Sequence, residues 1–440
     1  MGMRGLCGVV WAGTALAFLI ATDSAQAGGF AVREHSAYGQ GSSFAGIAAG
    51  GSLSSMFWNP AAMTQRQGIQ IELGAADVLP YATHTVTSGT FAALGGAGDS
   101  GDDALVPSGF ASWQINPNLW LGLSINAPFG LSVSFPDAWA GRTYAADTSL
   151  KTYNATPTIA WRINDWISVG AGVQFQYGKA DLSSGLPTGL RQQLNIDGDG
   201  WGYGFTAGLT LTPTPTTTIG VGYRSAINQK IDGTFSLPPG ALFSPPFSTP
   251  GPVSTELALP DTVTFGLRQK IGPRWTALAT LEWSNWSRIG TSTVVQPNGT
   301  PAQVVLNDVS LPFQYSDGWF YSIGAEYQWN EQLTLRAGVG YEKSPITDGV
   351  RTPRLPDNDR VWLSAGLTYN ATRSLAFDLA YSHLFVKDTP IDISAASGNP
   401  WFNVTTYIGS ADAHVDIVSV ALKYRWDNAA PAPTKQLYTK

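Results

Sequence analysis

Few side chains in this chain are equipped for covalent chemistry. There are four histidines, His35, His84, His383 and His414. None stands in a nucleophile motif of the serine–histidine kind that hydrolysis needs. The only cysteine, Cys7, lies close to the start. No set of His, Asp or Glu has metal-ligand spacing. The net charge of -6 is spread along the chain, without a basic run suited to nucleic acid. These residues imply a protein that is not an enzyme and needs no cofactor. The unusual feature is apolar: the segment 231–258 carries Phe235, Leu237, Leu242, Phe243, Phe247 and Leu257 among six prolines between 238 and 252. An exposed loop of this composition marks a surface that binds apolar molecules, with self-packing of the loop as the alternative. The chemistry open to it is capture by burial, about 0.8 kcal/mol per methylene.

The elements that would position such a loop are legible from the turns. From about residue 68, runs of alternating residues are joined by very short connections at Asn116-Pro117-Asn118, Asn164-Asp165, Pro213-Thr214-Pro215, Gly272-Pro273, Asn330-Glu331 and Asn370-Ala371-Thr372. The connections between those joints are long and rich in Gly, Pro and Ser. Short turns at one end and long loops at the other describe an outer-membrane barrel, with turns in the periplasm and loops outside. Alternation is clear where Ile167, Val169, Ala171, Val173, Phe175 and Tyr177 oppose Ser168, Gly170, Gly172, Gln174 and Gln176. Trp113, Trp161, Trp329 and Trp426 fall on the apolar register near the turns or the last strand's end, where an interfacial girdle belongs. Only 13% of residues are charged, about half the usual share for a soluble protein. After residue 27 no apolar run is long enough for a spanning helix.

The expected class is all-β: a transmembrane antiparallel barrel of about fourteen strands in the Gram-negative outer membrane. Residues 1–27 read as a signal peptide, with Arg4, an apolar stretch from Leu6 to Ile20, and Ala25-Gln26-Ala27 as the cleavage site. Residues 28–67 lack sustained alternation but hold Phe30, Phe44, Ile47, Leu53, Met56, Phe57 and Trp58. A disordered tail would not be so apolar, and the segment is expected to plug the lumen. Residues 68–426 form the barrel and 427–440 a polar periplasmic tail.

The chain resembles the FadL family of outer-membrane transporters for long-chain fatty acids and other hydrophobic compounds. The resemblance is carried by Gly29-Phe30, Ser36, Gly39, Gly41 and Gly46 closing on Asn59-Pro60-Ala61, by Asn126-Ala127-Pro128-Phe129-Gly130-Leu131, and by Trp201-Gly202-Tyr203-Gly204 with Tyr223-Arg224-Ser225. Leu259-Pro260 with Trp283 and Trp286 follows, then Ser344-Pro345 through Asp359-Arg360 and Trp362-Leu363-Ser364-Ala365-Gly366. It implies a plugged fourteen-stranded monomer surrounded by outer-membrane lipid. It also implies capture in an outer groove formed by the loops near 183–199 and 231–255, an internal pocket, and exit through the wall. Asn59, Pro60 and Ala61 would be the signature of the plug. Asn126, Ala127 and Pro128 stand where the family's third strand kinks to open the wall; Pro128 could equally end the strand. Lys179 matches a basic head-group position, although alternation puts it on the lipid register and a solvated rim lysine is the other reading. Ser316 stands at the family's second basic position. Arg224 and Arg336 lie on the luminal register, where acids such as Glu326 or Glu342 could pair with them. Uptake of aromatic or aliphatic hydrocarbons, and a general diffusion porin, are the alternatives.

Overall fold

The computed structural model describes residues 28–187, 193–238, 248–304 and 307–426. The expected signal peptide, the C-terminal tail, and Leu242, Phe243 and Phe247 lie outside the described residues. The wall begins with β1 (Ile69–Gly89), β2 (Ala104–Asn116), β3 (Leu119–Asn126), β4 (Gly130–Val133), β5 (Thr148–Arg162) and β6 (Ile167–Gly185). It continues through β7 (Gln193–Thr214), β8 (Thr217–Arg224), β9 (Ile227–Ser236), β10 (Gly251–Leu259), β11 (Thr262–Ile271) and β12 (Trp275–Ser284). Two hairpin ladders sit in the next loop: β13 (Thr291–Thr293) with β16 (Ser310–Pro312), and β14 (Gln303–Val304) with β15 (Asn307–Asp308). The wall is completed by β17 (Gly318–Gln328), β18 (Leu333–Lys343), β19 (Arg360–Asn370), β20 (Leu375–Val386), β21 (Thr389–Ile393) and β22 (Tyr407–Arg425).

Four spans are interrupted strands, β3/β4, β8/β9, β10/β11 and β20/β21, so the closed antiparallel barrel has 14 spans. Closure is β1 on β22, from Gln70↔Arg425 to Gly89↔Tyr407. The tight turns are built by side chains that satisfy their own backbone. Asn164 Oδ1 accepts from the amides of Trp166 and Ile167, Asn330 Oδ1 from Gln332 and Leu333, and Thr372 Oγ1 from Ser374 and Leu375.

The two registers separate as the alternation requires. Val173, Phe175, Ile323, Val339, Leu363 and Val420 are exposed on the outside, and Trp113, Trp161, Trp329 and Trp426 are each more than half exposed beside the short turns. The luminal register is buried beneath the residues that precede β1. That segment carries a short helix α1 (Ala37–Gln40) and three 3-10 turns, Ile47–Ala49, Leu53–Phe57 and Pro60–Gln65. Phe44, Ile47, Ala48, Asn59 and Met63 are essentially inaccessible. The plug can touch the wall so closely because glycines face it. A Cβ at Gly222 would lie 1.7 Å from the Trp58 carbonyl oxygen, and one at Gly338 would lie 2.1 Å from that of Ser42.

β1, β7 and β22 are long strands, with β1 continuing to Gly89 and β22 beginning at Tyr407. The outer halves of β1 and β22 stay paired out to Gly89↔Tyr407, with a register shift between Val86 and Ser88.

Candidate functional site

The wall's ladder breaks beside β3. β2 pairs with β1 from Trp113 to Ala104, but with β3 only from Asn116 to Gly109. Ala104–Ser108 therefore lacks a strand neighbour on that side among the described residues. Past Asn126 the chain turns to the plug instead. Val32 N donates to Pro128 O and Gly130 N donates to Phe30 O, each at 2.9 Å, while Ala31 bridges Phe129. Pro107 and Pro128 flank the break, and neither adds an orphan N–H to it. Asn126 is buried there, with both side-chain amide atoms unpartnered among the described residues.

Behind the break lies a cavity of about 80 Å³, lined by Val32, Phe57, Phe129, Arg224, Ile227 and Trp286, among others. An aromatic series leads to it from the extracellular side. Ring centroids are separated by 5.8 Å for Trp401–Phe313, 6.2 Å for Phe313–Phe30, 4.8 Å for Phe30–Trp286 and 6.1 Å for Phe129–Trp286. Sequence reading missed Trp401, Phe402 and Phe313 as apolar loop residues. The available signal was the aromatic pair after Asn399-Pro400, inside a long loop.

The charges at the cavity are unequal. Arg33 is neutralised by Glu282 at 2.8 Å and Glu342 at 3.6 Å, and lies over the Phe320 ring. Arg224 has no ion pair among the described residues. Its guanidinium donates to Phe57 O at 3.1 Å and to Gln174 Oε1, and stacks 4.0 Å from the Phe57 ring centroid. The two luminal arginines thus part ways: Arg336 does pair with Glu326, at 3.0 Å, whereas Arg224 does not pair with an acid.

The expected site residues fare differently. Asn59 caps the Pro60–Gln65 turn by accepting from Ala61 N at 3.0 Å. Its Nδ2 donates to Ala48 O, Leu209 O and Thr210 Oγ1, so it joins two parts of the plug to β7. Lys179 requires a correction: its side chain is 57% exposed, 3.7 Å from Asp181, on the outer register opposite Lys151. No bulge turns it inward, so it does not line the cavity. Phe235 is also corrected. It is 1% exposed, packed with Val253, Val294 and Ala302, and Leu237 is partly buried against the same cluster. Those two residues build the hairpin's own core instead of an open groove. Ser316 Oγ is tied to Pro345 O.

Beside Arg33 in the plug, Glu34 Oε2 accepts from the Arg33 amide at 2.8 Å, while Oε1 has no partner among the described residues. Burial pushes its carboxyl up to about 7, with Arg33 opposing the shift and Glu342 adding to it. The seated plug therefore favours protonated Glu34. That stability is present at low pH and is lost as pH rises from the usual carboxylate value through about 7, amounting to about 3 kcal/mol. Plug excursions, read as conductance bursts in planar bilayers, are expected to be more frequent at pH 8 than at pH 5, and Glu34→Gln is expected to flatten this dependence.

Comparison with known proteins accords with this geometry. The profile of the family described as "Outer membrane protein transport protein (OMPP1/FadL/TodX)" matches residues 18–426. The long-chain fatty acid transport protein of Escherichia coli O6:H1 is 26% identical over 408 residues, covering 84% of this chain and 90% of that protein. The crystal structure of a Pseudomonas aeruginosa FadL homologue superposes with a TM-score of 0.81 at 25% identity, covering 91% of this chain and all of that one. The Ralstonia pickettii toluene transporter TbuX shares the fold, with a TM-score of 0.63 at 19% identity over 88% of this chain and 97% of its own.

Proposed function

Because the chain belongs to the OMPP1/FadL/TodX family of outer-membrane transport proteins, we propose that it carries long-chain fatty acids or related hydrophobic molecules inward as a monomer. Substrate is captured among the extracellular loops, passes the Trp401–Phe313–Phe30 aromatics, rests in the cavity against Trp286 and Phe129, and leaves through the wall between β2 and the 127–129 segment. The observation that carries this reading is the coincidence of three features at one place: an unpaired β2 edge, an inward-turned strand, and an apolar cavity behind both. No covalent step is involved. Burial of the apolar chain drives capture, and release into the bilayer returns it to an equally apolar medium.

The cavity has room for only a few waters. A long acyl chain must therefore push aside Gly28–Val32, which two backbone bonds hold to the kink. A single aromatic ring needs less displacement, and this favours monoaromatic hydrocarbons as the second reading. Arg224 favours a carboxylate-bearing substrate.

Ala127→Trp tests the route. Ala127 is half-buried at the break, and an indole there fills the opening. Oleate uptake by cells lacking their own transporter is expected to fall at least about tenfold, while saturable oleate binding to the purified variant persists, since the cavity's burial term is left in place. Unchanged uptake would place the exit elsewhere.

A further inference from the structure

The plug's opposite end faces a second cavity, at the mouth bordered by the short turns. It measures about 330 Å³ and is lined by Arg66, Arg268, Arg336, Arg373, Lys423 and Arg425, with Glu326 the only carboxylate among its lining residues. A chain of net charge -6 has gathered six cations around one opening.

The nearby acids are already committed. Glu326 is shared by Arg268 Nη2 at 2.6 Å, Arg336 Nε at 3.0 Å and the Tyr38 hydroxyl. Asp378 lies behind the lining, 2.5 Å from Lys423 and accepting from Thr368 Oγ1. Glu72 is turned into the plug, where it accepts from Ser52 Oγ at 2.7 Å and Ser54 N at 3.1 Å. Arg66, Arg373 and Arg425 have no ion pair among the described residues. Arg336 is 5% exposed, its Nη1 lacks a hydrogen-bond partner, and Asp378 stands off at 4.0 Å. The Nε atoms of Arg66 and Arg425 are likewise buried and unpartnered among the described residues. Orphaned guanidinium donors around a polar cavity are half of a charge-assisted oxyanion site.

We propose that this mouth binds an oxyanion of the phosphate class, held between Arg66 on the plug and Arg336, Arg373 and Arg425 on the wall. The guanidinium fork suits such a group, and Lys423 adds a point charge. The anion bridges plug to barrel and relieves repulsion between their cations. Phosphate chemistry reaches this mouth from two sources, a free phosphate or the head group of an anionic phospholipid. The site does not depend on which molecule the barrel transports.

The test is calorimetric titration of the full mature chain, in a neutral maltoside detergent, with inorganic phosphate at ionic strength held constant by chloride. One saturable site is expected. Affinity is expected to fall at least about tenfold in Arg66→Gln and, separately, in Arg373→Gln. Arg373 is exposed on a turn, so its variant keeps the fold, as heat-modifiable gel mobility will verify. Lys179→Gln, on the outer wall, is expected to bind as the parent does. Dihexanoyl phosphatidylglycerol that competes with phosphate and binds more tightly would identify the lipid source; phosphate binding as tightly or more so would identify the free ion. Absence of saturable phosphate binding, an equal response to chloride, or parental affinity in both arginine variants would overturn the proposal.

Discussion

Gly222→Val is expected to convert the plugged barrel into a conducting pore. A Cβ at this position would lie 1.7 Å from the Trp58 carbonyl oxygen, and its neighbour on the same luminal register, Gly220, has the Ala48 carbonyl oxygen at 1.8 Å by the same measure. Both obstacles are plug main chain, which cannot rotate away as a flexible side chain would. The strand accepts the change readily, since valine favours β-structure and the ladders beside Gly222, to Gly208 on β7 and Thr264 on β11, are in continuous register there. The cost therefore falls on the plug, which must move by more than an ångström and give up the Asn59 bonds to Leu209 and Thr210 that register it. Each lost bond costs about 1 kcal/mol, and more where a carbonyl is left buried. Planar-bilayer recording should show long open events in the variant. Gly109→Ala is the control, because its Cβ would meet only Leu73 Cδ2, at 3.7 Å. A folded Gly222→Val barrel as silent as the parent would mean that the plug does not seal the lumen.

The spans and periplasmic turns were legible because each is a local signal imposed by lipid. Alternation marks the wall, and Asn or Pro at fixed positions closes the turns, so all six short joints appear where the sequence puts them. The plug's Asn59-Pro60-Ala61 was legible as a motif, but its glycine partners on the wall were not. Gly208, Gly222 and Gly338 read only as small luminal residues, and what touches them comes from elsewhere in the chain. The outer loops deceived for a related reason. Phe235 looks like an exposed apolar residue until β9 and β10 pair and the 291–312 hairpins cover it. Lys179 was placed inside by resemblance and outside by alternation, and alternation is what the structure follows. The break in β3 was half legible: Pro128 marks a lost ladder bond, but that Phe30 and Val32 take up the freed strand is a long-range pairing no local pattern encodes.

Arg224→Leu is expected to erase discrimination between an acid and its ester. In the parent, a fatty carboxylate reaching the cavity meets two arginines, one already committed and one available, while the third cation of the lining, Lys343, is exposed to solvent. Arg33 is held by Glu282 and Glu342, so its charge is spent before substrate arrives. Among the described residues Arg224 is held by a carbonyl, an amide oxygen and the face of Phe57, all of them weaker partners than a carboxylate. A hydrogen bond to a charged group contributes about 1.5–3 kcal/mol, so oleate is expected to bind the parent roughly ten- to a hundredfold more tightly than methyl oleate. In the leucine variant the two should bind alike, with the ester little changed, because its affinity comes from burial alone. Arg224→Lys is the informative companion: it keeps a charge but loses the planar fork, and should retain part of the preference. Toluene, which carries no head group, should bind all three proteins equally. If oleate and methyl oleate already bind the parent alike, the cation does not read substrate and the hydrocarbon reading gains. If the preference survives in Arg224→Leu, the head group is recognised elsewhere along the aromatic path.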